Sequence, residues 1–372
     1  MEGQISRCTR NDIFFKQFLK DPGRIHVASL RSFIHLQINF VRKIHSMPIL
    51  CNYYLTYRCN AYCSFCHFGD HAAFKDSSAA LTDDVLRNLH SLKKLGVRFI
   101  DFTGGEPLLH RDAALIVRKA AELGLKASIT TNCLLYPKFA GSLKGNIYLL
   151  HFSLDSSLKR EHDEMRGTAC YDKVLESIRI ARELGEYPDI IFTVTNTNYL
   201  QLPEVYEISR SNSLMLLINP VFEYFREAQL KEDILDYIEQ FSARPMTYLN
   251  PSFITLRRKG GNDPDDPLCR AVSRVIVISP QNEILLPCYH NHFEKIPIGN
   301  DLIQAYKSER IQWHKKMEGR HAFCKGCTIN CYFEPSFAFP TNAYALASVP
   351  SKIRYGFNKY VRQPISSRMQ SL

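Results

Sequence analysis

The chain has 372 residues, of which 45% are hydrophobic and 23% are charged, with 47 Lys and Arg against 37 Asp and Glu. This length allows one large domain with an appendage, or two domains, and the composition is that of an ordinary globular protein. Without an apolar run of about 18 residues a membrane-spanning helix is not expected, and the formal charge of +10 favours anionic partners without requiring them.

The first residues, MEGQISRCTRNDIFFKQFLKDPGR, mix acidic and basic side chains where an export signal needs an unbroken apolar stretch. We therefore expect a cytoplasmic protein. In a reducing compartment its 12 cysteines should be thiols or metal ligands rather than disulfides. No zinc-finger, helix-turn-helix or RRM pattern indicates nucleic acid as a partner.

Residues 1–45 are predicted to form a helical extension. Between residues 27 and 44, apolar residues recur at helical spacing beside Arg31, Arg42 and Lys43. A basic amphipathic helix of this kind can lie peripherally on a membrane surface, cover an apolar substrate, or pack against the rest of the protein. The sequence leaves these interpretations open.

Between about residues 46 and 250, short β-rich runs alternate with amphipathic segments, which predicts a parallel sheet with crossover helices. The predicted strands are 49–57, 97–105, 126–132, 147–155, 189–196 and 214–220. The predicted helices are 83–95, 112–123, 171–184 and 202–211. The fold class is therefore α/β.

The pattern changes near residue 250. RPMTYLNPSF and KGGNDPDDP are rich in Pro, Gly and Asn and are predicted to be loops. RVIVISPQNEILLPC then predicts a β-hairpin. We expect a small second domain at 255–335 and an irregular basic tail at 336–372.

Three cysteines, Cys59, Cys63 and Cys66, follow the first predicted strand with the spacing Cys-x3-Cys-x2-Cys. Reactive groups of parallel α/β folds collect at the carboxyl ends of the strands. A four-iron cluster normally takes four thiolates, so three thiolates would leave one iron free for a small molecule. Buried free thiols are the alternative interpretation.

Polar motifs recur where the next strands end. TGGEP ends the second strand with Gly104, Gly105 and Glu106, TTN ends the third, and FSLDS ends the fourth with Ser153 and Asp155. Glycines let the backbone approach a ligand closely, and a carboxylate can receive an ammonium group. Taken alone, these motifs also fit turns and helix caps.

With these motifs in this order, residues 48–335 resemble the radical S-adenosylmethionine (SAM) superfamily. The resemblance implies a partial (β/α)6 barrel whose three cysteines hold a [4Fe-4S] cluster, with SAM on the fourth iron. It also implies reductive cleavage of SAM to a 5'-deoxyadenosyl radical and an electron donor such as flavodoxin or ferredoxin. The SAM-binding residues that it implies are Phe65 for the adenine, Gly104, Gly105 and Glu106 for the methionine amino group, and Ser153 and Asp155 for the ribose and methionine.

The predicted small domain contains five further cysteines: Cys269, Cys288, Cys324, Cys327 and Cys331. Two of them bracket the hairpin and a Cys-x2-Cys knuckle follows, which resembles the Twitch/SPASM extension of the same superfamily. This resemblance implies an auxiliary [4Fe-4S] cluster on Cys269, Cys288, Cys324 and Cys327, with Cys331 left over. A zinc site with four cysteine ligands is the competing interpretation of the spacing alone.

The sequence says little about the substrate or about catalytic side chains beyond the cofactor ligands. The basic amphipathic segment favours a largely apolar, carboxylate-bearing small molecule, such as a chlorophyll-type tetrapyrrole or an isoprenoid. Its unactivated carbon would be hydroxylated or dehydrogenated, an oxidoreductase-type reaction. A SPASM-type peptide maturase and a non-catalytic iron-sulfur or zinc protein are the alternatives.

Overall fold

The computed structural model describes residues 47–69, 77–222, 229–337 and 342–363. All of these residues belong to one unit of the chain, which begins at Met47. The predicted helical extension at 1–45 lies outside the described residues.

One ten-stranded sheet organises the described residues. Its strands are β1 (Leu50–Thr56), β2 (Phe99–Gly104), β3 (Lys126–Thr131), β4 (Leu149–Ser153), β5 (Asp189–Val194), β6 (Leu216–Pro220), β7 (Thr247–Tyr248), β8 (Val275–Ile278), β9 (Glu283–Leu286) and β10 (Glu294–Pro297). Their order is β10-β9-β8-β1-β2-β3-β4-β5-β6-β7. Strands β1 to β7 are parallel, β8 pairs in parallel with β1, and β9 and β10 are antiparallel additions.

Helices connect the parallel strands and extend the chain beyond them. They are α1 (Thr82–Leu95), α2 (Ala113–Glu122), α3 (Tyr136–Leu143), α4 (Lys159–Arg166), α5 (Tyr171–Glu183), α6 (Leu202–Ser211), α7 (Glu232–Phe241), α8 (Pro251–Arg258), α9 (Leu302–Lys307), α10 (Glu309–Met317), α11 (Asn330–Phe337) and α12 (Ala343–Phe357). The six predicted strands and four predicted helices are confirmed, each end within two residues of its predicted position. The hairpin predicted around SPQNE is β8–β9.

The two faces of the sheet carry different side chains. On β2, Ile100 and Phe102 are fully buried in the main core, which lies between the sheet and its helices. Asp101 and Thr103 alternate with them on the opposite, inner face and remain partly accessible. Parallel sheets are usually apolar on both faces, so a polar inner face indicates a surface that serves a ligand.

A second apolar cluster covers one end of the inner face. It joins Tyr54 of β1 and Val277 of β8 to Phe253 of α8 and to Tyr332 and Phe333 of α11. The segment after residue 250 therefore packs over β1, β8 and β9, and leaves accessible an inner face of β2 to β6 that carries polar residues together with Leu149, Ile191 and Leu217.

Two predictions for the second half of the chain are wrong. The loop predicted around NPSF contains α8, because the Asn250 side chain caps its first turn by accepting the Ser252 N–H and Pro251 suits the first helical position. The tail predicted to be irregular contains α12, which is capped by the Asn342 side chain and packs against α8 and β7.

Helix α12 and the turn after it lie across the amino ends of the parallel strands. The Tyr355 hydroxyl donates to Asp189 at the start of β5 (2.7 Å), and the Lys359 ammonium pairs with the same carboxylate (2.5 Å). Arg354 donates to the Ser242 carbonyl before β7 (2.8 Å). The carboxyl ends of the strands, with the cysteine loop, lie opposite. Within the described ranges, no helix is both long and apolar enough to cross a membrane.

Candidate active site

The first cysteine loop follows β1 and is fixed by α4. The Tyr62 and Ser64 N–H groups donate to the carbonyls of Arg166 (2.8 Å) and Met165 (3.0 Å) at the end of that helix. Gly167 permits this contact, because a Cβ there would lie 2.6 Å from the Tyr62 carbonyl oxygen. The loop backbone is therefore placed before any cofactor binds.

Cys59, Cys63 and Cys66 are partly accessible on this loop. Burial raises the pKa of Cys59 to about 12 and that of Cys66 to about 11. A metal that binds such thiols must displace their protons. The three side chains are thus accessible enough to bind a cluster, and they are partly shielded from bulk water.

The glycines of TGGEP hold the start of the cysteine loop against β2. The Gly105 N–H donates to the Thr56 carbonyl (3.0 Å) and the Glu106 N–H donates to the Arg58 carbonyl (2.9 Å). A Cβ at Gly104 would lie 1.9 Å from the Thr56 oxygen, and one at Gly105 would lie 2.3 Å from the Arg58 oxygen. Only glycine fits this close approach of two backbones.

Glu106 is buried and its carboxylate is held by donors of the chain itself. It accepts the Leu108 N–H (3.1 Å), the Thr131 hydroxyl (2.9 Å) and the Asn132 N–H (2.9 Å). Burial raises its pKa to about 7, which these hydrogen bonds and the Arg166 guanidinium oppose. The carboxylate therefore ties the end of β2 to the end of β3, and contact with a methionine amino group stays a prediction.

Sequence reasoning missed a link between the third strand and the cysteine loop. The Asn132 side chain donates to the Asn60 side chain at 2.7 Å, and Asn60 directly follows Cys59. The TTN motif was the available signal, but it does not name the partner.

At the end of β4, Asp155 is fully buried and binds within the protein. One of its oxygens accepts the Thr193 N–H (2.8 Å), and the other pairs with the Arg166 guanidinium (2.5 Å). The guanidinium also lies 3.7 Å from the Cys63 sulfur and 5.3 Å from the centre of the Phe65 ring. Asp155 thus places a buried cation beside the cysteine loop.

Ser153 precedes this pair on the inner face of β4 and is buried. Phe65 is half-buried and packs against the main core. The structure brings Phe65, Ser153, Asp155 and the TGGEP motif to the carboxyl ends of β1 to β4, where the resemblance requires them.

The second cysteine set is assembled by a buried asparagine, Asn262, which sequence reasoning placed in a loop. Its N–H donates to the Cys327 carbonyl (3.0 Å), and its side-chain amide donates to the Cys324 carbonyl (3.2 Å). Its side-chain oxygen accepts the N–H groups of Leu268 (3.1 Å) and Cys269 (3.2 Å). One side chain thus joins the segments that carry three of the five cysteines.

Cys288 and Cys331 complete this set. Burial raises the pKa of Cys288 to about 12, and the nearby Cys327 and Cys324 contribute to the rise. Burial also raises the pKa of Cys331, and the negative charges of Cys288 and of Asp101 on the inner face of β2 raise it further. The Cys331 sulfur lies 3.8 Å from Nε2 of His290, which follows Tyr289.

Sulfur spacing separates an iron-sulfur cluster from a single zinc ion. Thiolates on one zinc lie about 3.8 Å apart, given a zinc–sulfur distance of about 2.3 Å. In the described part of the chain, the three potential ligands whose atoms all lie within 4.8 Å of one another are His162, Asp163 and Cys170. Among the described residues, neither cysteine set brings three sulfur atoms within that distance of one another, so neither is arranged for a single zinc ion.

The His162 group has structural partners of its own. His162 accepts the Asp155 N–H (3.2 Å), and Asp163 accepts the N–H groups of Cys170 and Tyr171, both at 2.8 Å, at the start of α5. These contacts account for the three side chains as a brace beneath Asp155 and a helix cap.

The two cysteine sets are joined by a bridge between the residues that follow Cys66 and Cys288. Nε2 of His67 lies 2.8 Å from the Tyr289 hydroxyl. The Tyr289 ring stacks on Tyr54 of β1, with ring centres 4.1 Å apart. Both loops are thereby held at one end of the sheet.

Next to this bridge lies the polar inner face, formed by Asp101, Ser128, Thr130, His151 and Asn219. Ser128 donates to Asp101 (2.8 Å), and Thr130 lies 3.2 Å from Nδ1 of His151. Burial raises the pKa of Asp101 to about 6, and the Ser128 hydrogen bond opposes this rise. The surface is rich in hydrogen-bonding groups.

Residues 53–208 match the family model described as Radical SAM superfamily. The chain is 29% identical over 314 residues to a "Probable GTP 3',8-cyclase" of Sulfurisphaera tokodaii, covering 78% of the chain and 95% of that protein. It is 30% identical over 202 residues to the protein of that name in Saccharolobus solfataricus, covering 52% of the chain and 65% of that protein.

Solved structures share the fold at low sequence identity. Streptococcus suis SuiB bound to S-adenosylmethionine aligns with a TM-score of 0.59 at 18% identity, covering 83% of this chain and 77% of SuiB. Native anSMEcpe with bound AdoMet aligns with a TM-score of 0.56 at 15% identity, covering 86% of this chain and 99% of that one. The predicted α/β fold with a partial barrel is confirmed.

Fold, cysteine loop and strand-end motifs define an iron-sulfur enzyme that binds SAM. The match over residues 53–208 is to the radical SAM superfamily, and the fold and the cysteine loop agree with that match. The chain's cofactors are a [4Fe-4S] cluster and SAM, and Cys59, Cys63 and Cys66 fit the three-thiolate requirement of that cluster.

Proposed function

We propose that the chain cleaves SAM reductively and removes a hydrogen atom from a small molecule bound on the polar inner face. When bound, the cluster and SAM supply the 5'-deoxyadenosyl radical for this step. The observation that carries the proposal is the position of the cysteine loop, which is fixed at the carboxyl ends of the strands beside an accessible polar face.

The residues of the chain have separate roles in this proposal. Cys59, Cys63 and Cys66 hold three irons and leave the fourth for SAM. The remaining SAM-binding residues are Phe65, Gly104, Gly105, Glu106, Ser153 and Asp155. Asp155 acts by holding Arg166, because both of its oxygens already have partners in the protein.

The proposal includes an auxiliary [4Fe-4S] cluster on Cys269, Cys288, Cys324 and Cys327. The hydrogen bonds of Asn262 support a shared centre by joining the segments of Cys269, Cys324 and Cys327, and no three cysteine sulfurs of the described residues lie as close together as one zinc ion requires. Cys331 is then left outside the cluster, with its sulfur 3.8 Å from Nε2 of His290. Domain limits of 46–250 for the barrel and 255–335 for the auxiliary region belong to the same proposal.

The residues that line the inner face indicate which class of substrate can bind there. A largely apolar carboxylate such as a tetrapyrrole or isoprenoid was predicted from residues 27–44, which lie outside the described residues, and the names of the relatives do not support it. Asp101 and its hydroxyl neighbours favour a substrate that offers hydrogen-bond donors. Oxidation at an unactivated carbon remains the proposed outcome.

A second candidate is a radical rearrangement of GTP, which rests on the name of the relatives. A triphosphate needs several cations, and the described contacts among Asp101, Ser128, Thr130 and His151 supply none of them. A SPASM-type peptide maturase is a further alternative. GTP and candidate peptides can be compared directly as additions that raise the rate of SAM cleavage.

A donor such as flavodoxin or ferredoxin, a cytoplasmic location and a peripheral membrane contact remain expectations of this proposal. Its test is anaerobic reconstitution with iron and sulfide, followed by dithionite and SAM. Wild type and a Cys51→Ala control should form 5'-deoxyadenosine, because Cys51 lies in the core of β1. The Cys59→Ala/Cys63→Ala/Cys66→Ala variant should form none, and equal amounts would reject the proposal.

Iron and zinc analysis tests the auxiliary cluster separately. Two cubanes require about eight irons per chain, and one requires about four. The Cys288→Ala/Cys327→Ala variant should contain about half as much iron per chain as wild type. Stoichiometric zinc that this variant loses would favour the competing zinc site.

A further inference from the structure

An apolar stripe runs along the outer side of α12, at the end of the sheet opposite the cysteine loop. Its members share one helical face and extend into the following turn: Leu346, Val349, Ile353, Phe357 and Tyr360, exposed by 72%, 47%, 67%, 57% and 49%. Their spacing of three or four residues is that of one face of a helix. Contiguous exposed apolar surface of this kind marks an interaction site.

The inner side of the same helix is already occupied. Ser348 and Ser351 are buried, and Tyr355 and Arg354 reach the amino ends of the strands as described above. The stripe therefore faces outward because the other side of α12 is fixed to the sheet, and no rotation of the helix can bury it.

Exposed basic side chains lie at the same end of the sheet as the stripe. The loops at the amino ends of β2, β3, β4 and β7 expose Arg98, Lys126, Lys144 and Arg244. The Lys126 ammonium lies 4.3 Å above the Tyr148 ring, and this ring is 6.1 Å from that of Tyr360. Aromatic rings beside cationic side chains are typical of the boundary between lipid headgroups and acyl chains.

Several acidic groups at this end of the protein are paired with basic side chains: Glu334 with Lys352 of α12, Glu122 with Lys119 and Glu183 with Arg179. Glu186 precedes β5, and its carboxylate accepts the Gly145 N–H at 2.6 Å. Asp189 is buried against Lys359 and Tyr355. From residue 335 to the end, the sequence has no Asp or Glu and five basic residues, Lys352, Arg354, Lys359, Arg362 and Arg368.

We propose that the α12 stripe and the exposed basic side chains at the same end of the sheet dock on an anionic lipid surface. The apolar side chains would enter the headgroup boundary while Arg98, Lys126, Lys144 and Arg244 meet lipid phosphates. The carboxyl ends of the strands then face away from the lipid, so the candidate active site stays open. This inference depends neither on residues 1–45 nor on the proposed reaction.

Sedimentation with vesicles tests the proposal on the full chain. Wild type should co-sediment with phosphatidylcholine vesicles that contain phosphatidylglycerol, and far less with phosphatidylcholine alone. Ile353→Glu/Phe357→Glu should weaken binding by roughly tenfold or more, because it places charge in the apolar contact. Leu158→Glu/Leu200→Glu is the matched control, since these leucines are 52% and 63% exposed near the carboxyl ends of the strands.

Charge and folding are checked on the same preparations. Arg98→Glu/Lys126→Glu should reduce binding to the anionic vesicles and flatten its dependence on salt. All variants must melt like wild type, which separates lost docking from unfolding. The proposal is overturned if wild type does not bind anionic vesicles, or if Ile353→Glu/Phe357→Glu and Leu158→Glu/Leu200→Glu bind them equally well. It is also overturned if wild type is a dimer that Ile353→Glu/Phe357→Glu converts to a monomer.

Discussion

The buried pair of Asp155 and Arg166 gives the sharpest stability prediction. Asp155 is fully buried and the Arg166 side chain is 9% exposed, with 2.5 Å between their atoms. Asp155→Ala leaves the guanidinium buried without its counterion and also removes the acceptor of the Thr193 N–H. Breaking a buried pair from one side costs about 3–5 kcal/mol, so the free energy of unfolding should fall by that amount.

Urea unfolding, followed by circular dichroism at one pH and salt concentration, measures this change. Lys173→Ala serves as the control, because its partner Glu176 and Lys173 itself are 36% and 47% exposed, and such pairs contribute about 0–1 kcal/mol. Asp155→Ala/Arg166→Met should be less destabilised than the sum of its single changes, since no buried charge is left unpaired. If Asp155→Ala costs no more than Lys173→Ala, the reasoning is refuted.

Three further predictions concern the cofactor loops and the inner face. Gly104 has a φ of 143°, and a Cβ there would lie 1.9 Å from the Thr56 oxygen, so Gly104→Ala should reduce 5'-deoxyadenosine formation by roughly tenfold or more. Gly145 also has a positive φ but faces open space, so Gly145→Ala should retain the activity. Equal activities of the two variants would contradict the steric argument. Asn262→Ala should lower iron from about eight to about four per chain, while Asn146→Ala, at a partly exposed position outside the cysteine segments, keeps the wild-type content. The pKa of Asp101 in the folded protein is about 6 against a reference of 3.8, so its contribution to stability is greatest below pH 4 and is lost as the pH rises through 6. The free energy of unfolding of Asp101→Asn should therefore exceed that of wild type by up to about 3 kcal/mol at pH 7.5 and by less at pH 5. If variant and wild type differ by the same amount at both pH values, this assignment is wrong.

The sequence was sufficient to predict the barrel half of the fold. The apolar runs of β1 to β6 and the amphipathic patterns of α1, α2, α5 and α6 are long and regular, and their bounds follow from periodicity. Residues after 250 were harder to interpret, because the signals around α8 are Asn and Pro, which cap helices and form loops alike. The stability of α12 comes from tertiary contacts such as that of Tyr355 with Asp189, which no local pattern shows.

The candidate site divides in the same way. Cysteine spacing and the strand-end motifs located the residues, because parallel strands bring their carboxyl ends together. Which carboxylates have partners in the protein could not be predicted, since Thr131, Asn132 and Arg166 come from other elements than Glu106 and Asp155. The bridge between His67 and Tyr289 joins residues 222 positions apart and has no sequence signal.

The central claim is that the cluster of the three-cysteine loop has one iron without a cysteine ligand. Electron paramagnetic resonance spectroscopy of the reduced protein tests this claim most directly. In a Cys288→Ala/Cys327→Ala variant, which should retain only the first cluster, adding SAM should change the spectrum of the dithionite-reduced protein, because the ligand binds an iron that no cysteine occupies. Additional replacement of Cys63 by Ala should remove the signal. A cluster spectrum that SAM leaves unchanged would contradict the account.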